Sequence, residues 1–286
     1  VGHNSTGLGS LFCTSIIDGY ESLKKRLDVL LVDLGLAPSR EQAQKFIRAG
    51  WVQVNQKVID KVGTEVKDDA AILVKQQSPF VSRGGEKLAG AIATFGINVR
   101  DRTCFDGGIS TGGFTDCLLK QGATKVYGID VGYGQVAWEI RSDERVVLRE
   151  RTNLRHLKPE DLYADGDIVP DFAVLDLSFI SLTKILPALW NLLDSPRETL
   201  LLVKPQFEAG KGQVGKNGIV REPKIRADAI AQVLQSAQSL GWHFQGLTPS
   251  SIQGRTGNHE YLLWLSDQPS EIVTLSFEEI LEIAKG

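Results

Sequence analysis

From residue 103 to residue 204 short apolar runs alternate with helical stretches, and this rhythm constrains the fold more than any other feature of the chain. The runs at 103–106, 126–130, 146–148, 172–176 and 199–204 are strand-length, and helical periodicity marks 113–121, 182–193 and 225–240 between or after them. Strands that are apolar throughout must be covered on both faces. The pattern therefore predicts an α/β layer, a doubly wound parallel sheet with helices on either side. Two later runs, 245–248 and 261–265, are expected to close an edge of it. Such a sheet binds ligands at the carboxyl ends of its strands, which is where ionisable residues should be sought.

Upstream the grammar differs. Leu27, Leu30, Leu31 and Leu34 recur at helical spacing, with Gly35 placed to end the helix in a left-handed cap. Ser39 and Gln42 signal a second helix with Ala43, Phe46 and Ile47 on its apolar face and Gly50 as its stop. Residues 51–54, 58–59 and 71–74 read as short strands, with a turn at Asn55 and Gln56. The Pro, Ser and paired Gly of 78–85 mark a junction. The 286 residues are thus expected to form a flexible tail (1–22), a small α+β domain (23–78), a linker (79–85) and a large domain (86–286).

Composition narrows the classes. No apolar run approaches the roughly 18 residues that a membrane-spanning helix needs. The tail lacks a basic segment followed by a continuous apolar stretch, so a cytoplasmic protein without a membrane partner is expected. Cys13, Cys104 and Cys117 form no CxxC pair and the chain has only four histidines, so no metal site is expected. With a net charge of −3, any affinity for nucleic acid must come from local patches.

The strongest local signal is the glycine-rich turn that follows the 103–106 run: Asp106, Gly107, Gly108, Ile109, Ser110, Thr111, Gly112 and Gly113, leading into a helix. Small residues let the backbone approach a nucleotide-like ligand, and Asp130 ends the next strand, where a carboxylate accepts ribose hydroxyls. The turn alone fits equally an ordinary strand-to-helix connection with φ > 0. It is neither a GxxxxGK[ST] loop nor a full GxGxxG, so a nucleoside cofactor without a pyrophosphate fits best. Asp176 and Lys204 end two further strands and should face one crevice. Taken singly, Lys204 also reads as a snorkelling strand-end lysine and Asp176 as a helix cap, while Lys87 and Glu260 read as solvated surface charges. Together they make a Lys/Asp/Lys/Glu set suited to orienting a hydroxyl and accepting its proton.

The motifs SRGGEKL (82–88), STGGFT (110–115), DVGYGQ (130–135), ERTN (150–153), DLSFIS (176–181) and VKPQFE (203–208) stand in this order. In them the chain resembles the TlyA family of ribosomal RNA 2′-O-methyltransferases, within the wider FtsJ-like group, and residues 24–74 look like the S-four RNA-binding domain that precedes the enzyme there. The resemblance implies a Rossmann-like methyltransferase fold and methylation of ribosomal RNA, at cytidine in 16S and/or 23S RNA, with S-adenosylmethionine as cofactor. It implies that Lys87, Asp176, Lys204 and Glu260 are catalytic, with Lys204 acting on the hydroxyl. The turn from Asp106 through Gly107, Gly108, Ser110, Thr111 and Gly112 to Gly113 would hold the methionine part of the cofactor, Asp130 its ribose and Asn153 its adenine, with Asp176 contacting the cofactor as well. Where the family pattern has a small residue this chain has Ile109, whose bulk beside the cofactor would be expected to weaken or reshape its binding.

In the small domain Lys24, Lys25, Arg26, Arg40, Lys45 and Arg48 outnumber Asp28, Asp33 and Glu41. By themselves they fit a soluble helical surface; with the resemblance they imply, together with Arg83, phosphate contacts to folded RNA or ribosomal subunits. The basic, glycine-rich stretch 210–218 is expected to close over the RNA. Two other readings follow from the same resemblance: a haemolysin-like membrane-active protein, and an RNA-binding protein whose methyltransferase fold is inactive.

Overall fold

A computed structural model describes residues 23–48, 50–74, 78–210, 212–254, 257–270 and 275–285; the tail expected at 1–22 and Lys211 lie outside them. The chain divides into two compact units, residues 1–77 and 78–286, each described by itself.

The first unit runs β1 (Lys24–Arg26), α1 (Leu27–Asp33), α2 (Arg40–Arg48), β2 (Val52–Val54), β3 (Lys57–Val58), β4 (Glu65–Lys67) and β5 (Ile72–Val74). Leu27, Leu30 and Leu31 of α1 pack against Ala43 and Ile47 of α2 and Val52 and Val54 of β2, as the apolar spacing predicts, whereas Leu34, expected on the same face, lies beyond the last turn and is exposed. Gly35 and Gly50 adopt φ of +68° and +69° and end the two helices. Strands β3, β2 and β5 form one antiparallel sheet, and β1 pairs with β4 in a second. The β1–β4 pair was not foreseen, because Lys24, Lys25 and Arg26 are all exposed and show no alternation. Their strand is set by its backbone pairing with β4 rather than by an apolar face.

The second unit runs α3 (Arg83–Phe95), β6 (Thr103–Gly107), α4 (Gly113–Lys120), β7 (Lys125–Ile129), α5 (Trp138–Arg141), β8 (Val146–Arg149), α6 (Pro159–Leu162), β9 (Phe172–Leu175), α7 (Leu186–Leu192), β10 (Glu198–Val203), α8 (Pro205–Glu208), α9 (Pro223–Gln238), β11 (His243–Pro249), β12 (Tyr261–Ser266) and α10 (Phe277–Lys285). The strands form one seven-stranded sheet in the order β11-β12-β10-β9-β6-β7-β8. Its interior strands feed two cores. Phe105, Ala173, Leu175, Leu201 and Val203 point to the layer of α7, α9 and α10, and Cys104, Phe172, Val174, Leu200 and Leu202 to the layer of α3 and α4. That double burial is why Cys104 and Phe105 of β6, all of β9 and Leu200 to Val203 of β10 are apolar on both faces.

Two expectations are corrected. The sheet is mixed rather than parallel throughout, because β12 inserts antiparallel between β10 and β11. An antiparallel partner needs only a loop, so no helix separates β11 from β12 in the sequence. The helix after the junction starts at Arg83, so residues 83–85, read as linker, are its first turn. Gly85 there serves close packing rather than a turn: a Cβ would collide with the Phe80 side chain. No helix among the described residues is long and apolar enough to cross a membrane.

Candidate active site

The sheet topology gathers the chemistry. Asp130, Asp176 and Lys204 each directly follow the last residue of a parallel strand (Ile129, Leu175 and Val203), so all three stand at one edge. Glu260 reaches that edge by the opposite route. Strand β12 runs antiparallel to β10 with Tyr261 opposite Val203, which brings the residue before β12 beside the residue after β10. Lys87 comes in from the second turn of α3.

The four form two ion pairs, Lys87 with Glu260 and Lys204 with Asp176. Lys87, Lys204 and Glu260 are buried and Asp176 is half-buried. Burying lysines costs several kcal/mol unless a carboxylate answers each one, so the pairing is what permits both to stand in a cleft. Lys204 Nζ also donates to Ser178 Oγ at 3.2 Å and lies 5.9 Å above the Phe207 ring. Behind this pair Glu208, at the end of α8, accepts from Ser181 Oγ (2.6 Å) and Leu182 N (2.9 Å) and so fastens the Lys204 helix to the loop that carries Asp176. Burial holds the Glu208 carboxyl above the usual carboxylate range, while those two hydrogen bonds oppose the shift. Sequence reasoning missed Ser178 and Glu208, although Glu208 stands four residues after Lys204, one helical turn on.

Two cavities of about 470 Å³ each meet at this edge and share Gly108, Ser110 and Asp176. The first is also lined by Arg83, Lys87 and Gln253, and Arg83 Nη2 donates to Gln253 O at 2.8 Å. The second is also lined by Asp130, Gly132, Asn153, Leu154 and Leu177. Asp130 is locked in place: Oδ2 accepts from Ser110 N (2.8 Å) and Oδ1 from Gly132 N (2.7 Å), and a carboxylate oxygen keeps capacity for a further donor. Asn153 Oδ1 accepts from Arg155 N at 3.1 Å and caps the short 3-10 turn Leu154–His156.

The glycine turn is built for close approach. Gly108 has φ of +86°, and a Cβ there would lie 2.6 Å from the carbonyl oxygen of Asp176. Of the residues expected to hold the cofactor, Gly108, Ser110, Thr111, Gly113, Asp130, Asn153 and Asp176 line one cavity or the other. Asp106, Gly107 and Gly112 line neither. A side chain at Gly107 would meet Leu154 and Leu175, and Asp106 lies fully buried beneath the turn. Its Oδ2 accepts from Thr115 Oγ1 at 2.6 Å and its Oδ1 has no protein partner. Burial pushes the Asp106 carboxyl up to about 7. Ile109, expected to crowd the cofactor, is 3% exposed and its side chain packs into the core of the α3/α4 layer.

In the first unit the basic residues are partly committed. Arg26 and Arg40 both donate to the buried carboxylate of Asp28, Lys25 pairs with Asp33 at 2.9 Å and Lys45 with Glu41 at 3.6 Å. Among the described residues no ion pair engages Lys24 or Arg48. The described residues also hold no group of three or more His, Cys, Asp or Glu placed to take a metal.

Both units match known families. Residues 80–267 match the FtsJ-like methyltransferase family and residues 25–72 match the S4 domain. The chain is 48% identical over 247 residues (86% of this chain, 91% of the relative) to the 16S/23S rRNA (cytidine-2′-O)-methyltransferase TlyA of Mycobacterium tuberculosis. It is 42% identical over 237 residues (83% of this chain, 98% of the relative) to Hemolysin A of Brachyspira hyodysenteriae. A solved structure from Streptococcus thermophilus superposes with a TM-score of 0.70 at 41% identity, covering 92% of this chain and 96% of that one.

Proposed function

From the premise that the chain belongs to the FtsJ-like methyltransferase family and carries an S4 domain ahead of it, we propose that it methylates a ribose 2′-hydroxyl of ribosomal RNA, at cytidine, with S-adenosylmethionine as the donor. The observation that carries this reading is the position of Asp176, which lines both cavities and pairs with Lys204. One cavity then takes the cofactor and the other the target nucleotide, with the reacting atoms meeting beside Asp176.

The second cavity fits the cofactor. Asp130 would offer a fixed carboxylate to the ribose hydroxyls, Leu154, Leu177 and Asn153 would line the place of the base, and the backbone at Gly108 would admit the methionine end. Bound there, S-adenosylmethionine supplies a methyl group made electrophilic by its sulfonium. The protein's task is to place the 2′-oxygen in line with it, and positioning of this kind is worth up to roughly 7–11 kcal/mol of barrier.

Lys204 acts on the 2′-hydroxyl, with Asp176 as its counter-charge and Ser178 and Phe207 fixing its head group. With the cofactor bound, the methyl group would pass from sulfur to the 2′-oxygen, and the Lys204–Asp176 pair would take up the hydroxyl proton. Lys87, held by Glu260, and Arg83 position the ribose and its phosphate. In the small domain Lys24 and Arg48, with Lys25 and Lys45 whose ion pairs are exposed, supply phosphate contacts while Arg26 and Arg40 stay on Asp28, so that the RNA is recognised by shape. A ribosomal substrate places the work in the cytoplasm.

Titration of S-adenosylmethionine by calorimetry, followed by transfer of labelled methyl to ribosomal subunits that lack the mark, tests the reading in two stages. Cofactor binding and stoichiometric transfer are expected. Binding without transfer to either subunit would refute the RNA substrate.

A further inference from the structure

The segment 149–158 carries five basic side chains, Arg149, Arg151, Arg155, His156 and Lys158, all of them exposed, in a chain whose net charge is −3. None belongs to the site described above. A cleft of about 370 Å³ lies among them, lined by Arg149, Arg151, His156 and Asp161 and sharing Thr152 and Asn153 with the cofactor cavity.

Of the neighbouring acids Glu150 is neutralised by Arg141, outside the cluster, while Asp161 keeps its charge at the cleft. Glu150 accepts from Arg141 Nη2 at 2.6 Å and from Gly134 N at 2.7 Å. Asp161 accepts from Lys158 N at 3.2 Å as a helix cap, and Glu160 lies 3.7 Å from Lys158 Nζ in a pair exposed on both sides. Arg149, Arg151 and Arg155 have no ion pair among the described residues.

Aromatic surface adjoins this charge. The Arg151 guanidinium lies 4.2 Å over the ring of Tyr133, which is 66% exposed, and Trp138 is 76% exposed nearby in sequence. Arg151 holds this place at φ of +53°, a costly conformation for a side-chain-bearing residue. Two backbone bonds enforce it, Arg151 N to Gly132 O (3.0 Å) and Thr152 N to Asp130 O (2.9 Å). The loop that positions Asp130 for the cofactor therefore also fixes the Arg151–Tyr133 stack.

We propose that this surface, at the end of β8 and the loop after β7, is a second RNA-docking site: its arginines take backbone phosphates, and the Tyr133–Arg151 stack takes an unpaired base. The inference rests on the methyltransferase reading above. Cations set among exposed aromatic faces suit nucleic acid better than an acidic protein, which would leave the stack unused. Location agrees. In the order β9-β6-β7-β8 the end of β8 lies three strands from Asp176, about 14 Å at ordinary strand spacing, within reach of the RNA flanking a nucleotide held at Lys204.

The test compares the full chain with the triple variant Arg149→Gln, Arg155→Gln, Lys158→Gln, with Tyr133→Ala as a second variant and the corresponding Arg→Lys pair as a charge-preserving control. Affinity for ribosomal subunits and for protein-free ribosomal RNA is measured across a salt series, and cofactor affinity by calorimetry. Expected for the triple variant are unchanged cofactor affinity, roughly ten-fold weaker RNA binding and a salt dependence shallower by about 2, at ~0.7–0.9 per lost phosphate contact. Tyr133→Ala should weaken binding without changing the slope, and the lysine control should bind as the parent does. An unchanged affinity and slope in the triple variant would overturn the inference while leaving the methyltransferase reading intact. Weaker binding to subunits alone, with protein-free RNA bound normally, would assign the surface to a ribosomal protein and overturn it too. A parent chain that methylates no ribosomal RNA would remove both.

Discussion

The side chain of Ile109 occupies the space that a side chain at Gly128 would need: a Cβ on Gly128 would lie 2.5 Å from Ile109 Cδ1. The glycine turn therefore carries a bulky residue whose side chain is turned onto the next strand, where Gly128 leaves room for it. Gly108 N and Ile109 N both donate to Ile129 O, which holds the turn down on that strand. Gly128→Ala is expected to destabilise the chain by roughly 1–3 kcal/mol through overpacking. Adding Ile109→Val, which removes only Cδ1, should recover most of the loss in urea unfolding. Strictly additive effects of the two substitutions would refute the pairing.

Lys87 and Glu260 should fail together. Removing either leaves the other buried without a counter-charge, a loss of about 3–5 kcal/mol. Glu260→Gln, which keeps the shape, is expected to lower kcat at least ten-fold. Cofactor affinity should stay near the parent value, since Lys87 lines the cavity that does not hold Asp130. A variant defective in cofactor binding instead would contradict the assignment of the two cavities.

Asp106 predicts a pH dependence. Its carboxyl is raised by burial, with the Thr115 hydrogen bond opposing and the charges of Asp176 and Asp130 adding, from the ordinary 3.8 to about 7. Between these values the folded chain keeps a proton that the unfolded chain releases. Stability should therefore fall as pH rises through this window, by an amount on the order of 4 kcal/mol, with no further loss from this group above it. Thermal melting from pH 4.5 to 8 should show the decline in the parent and a flatter profile in Asp106→Asn. Parallel profiles would show that Asp106 is ionised at both ends of the range.

Asp28 predicts the opposite sign. Its hydrogen bond with Arg26, with further ones from Arg40 and Gln44, holds the carboxyl below the usual range against the cost of burial. That contribution is complete at neutral pH and is lost as pH falls below the ordinary carboxylate value. Because both arginines are about half exposed, Asp28→Ala should cost the first unit only roughly 2–3 kcal/mol. Proteolysis of the full chain should cut first within residues 23–74 in this variant. Unchanged cleavage would place the stability of that unit elsewhere.

Much of this was legible in the sequence, for identifiable reasons. The α/β layer shows because β9 is apolar throughout and β10 from Leu200 to Val203, with shorter apolar runs in β6 and β7, and Asp130, Asp176 and Lys204 show because they directly follow such runs. Glu260 is different. Its residue could be named from the resemblance, but its place beside Lys204 depends on β12 running antiparallel, and strand direction leaves no mark on composition. The β1–β4 pair was hidden because three exposed basic residues carry no periodicity. Ile109 appeared as an obstruction because its compensation, Gly128, lies nineteen residues away and is visible only once β6 and β7 pair. Likewise, counting basic residues in the first unit could not show that Arg26 and Arg40 are turned onto Asp28.

The central claim is that the Lys204–Asp176 pair directs a methyl group to a ribose oxygen. Nucleoside digestion and mass spectrometry of ribosomal RNA, after incubation of subunits with S-adenosylmethionine and either the parent chain or Lys204→Ala, tests it most directly. The account predicts 2′-O-methylcytidine with the parent and a loss of at least a hundred-fold with the variant, whose cofactor affinity is retained. A methyl group on a base, or an undiminished yield of the ribose product with Lys204→Ala, would contradict it.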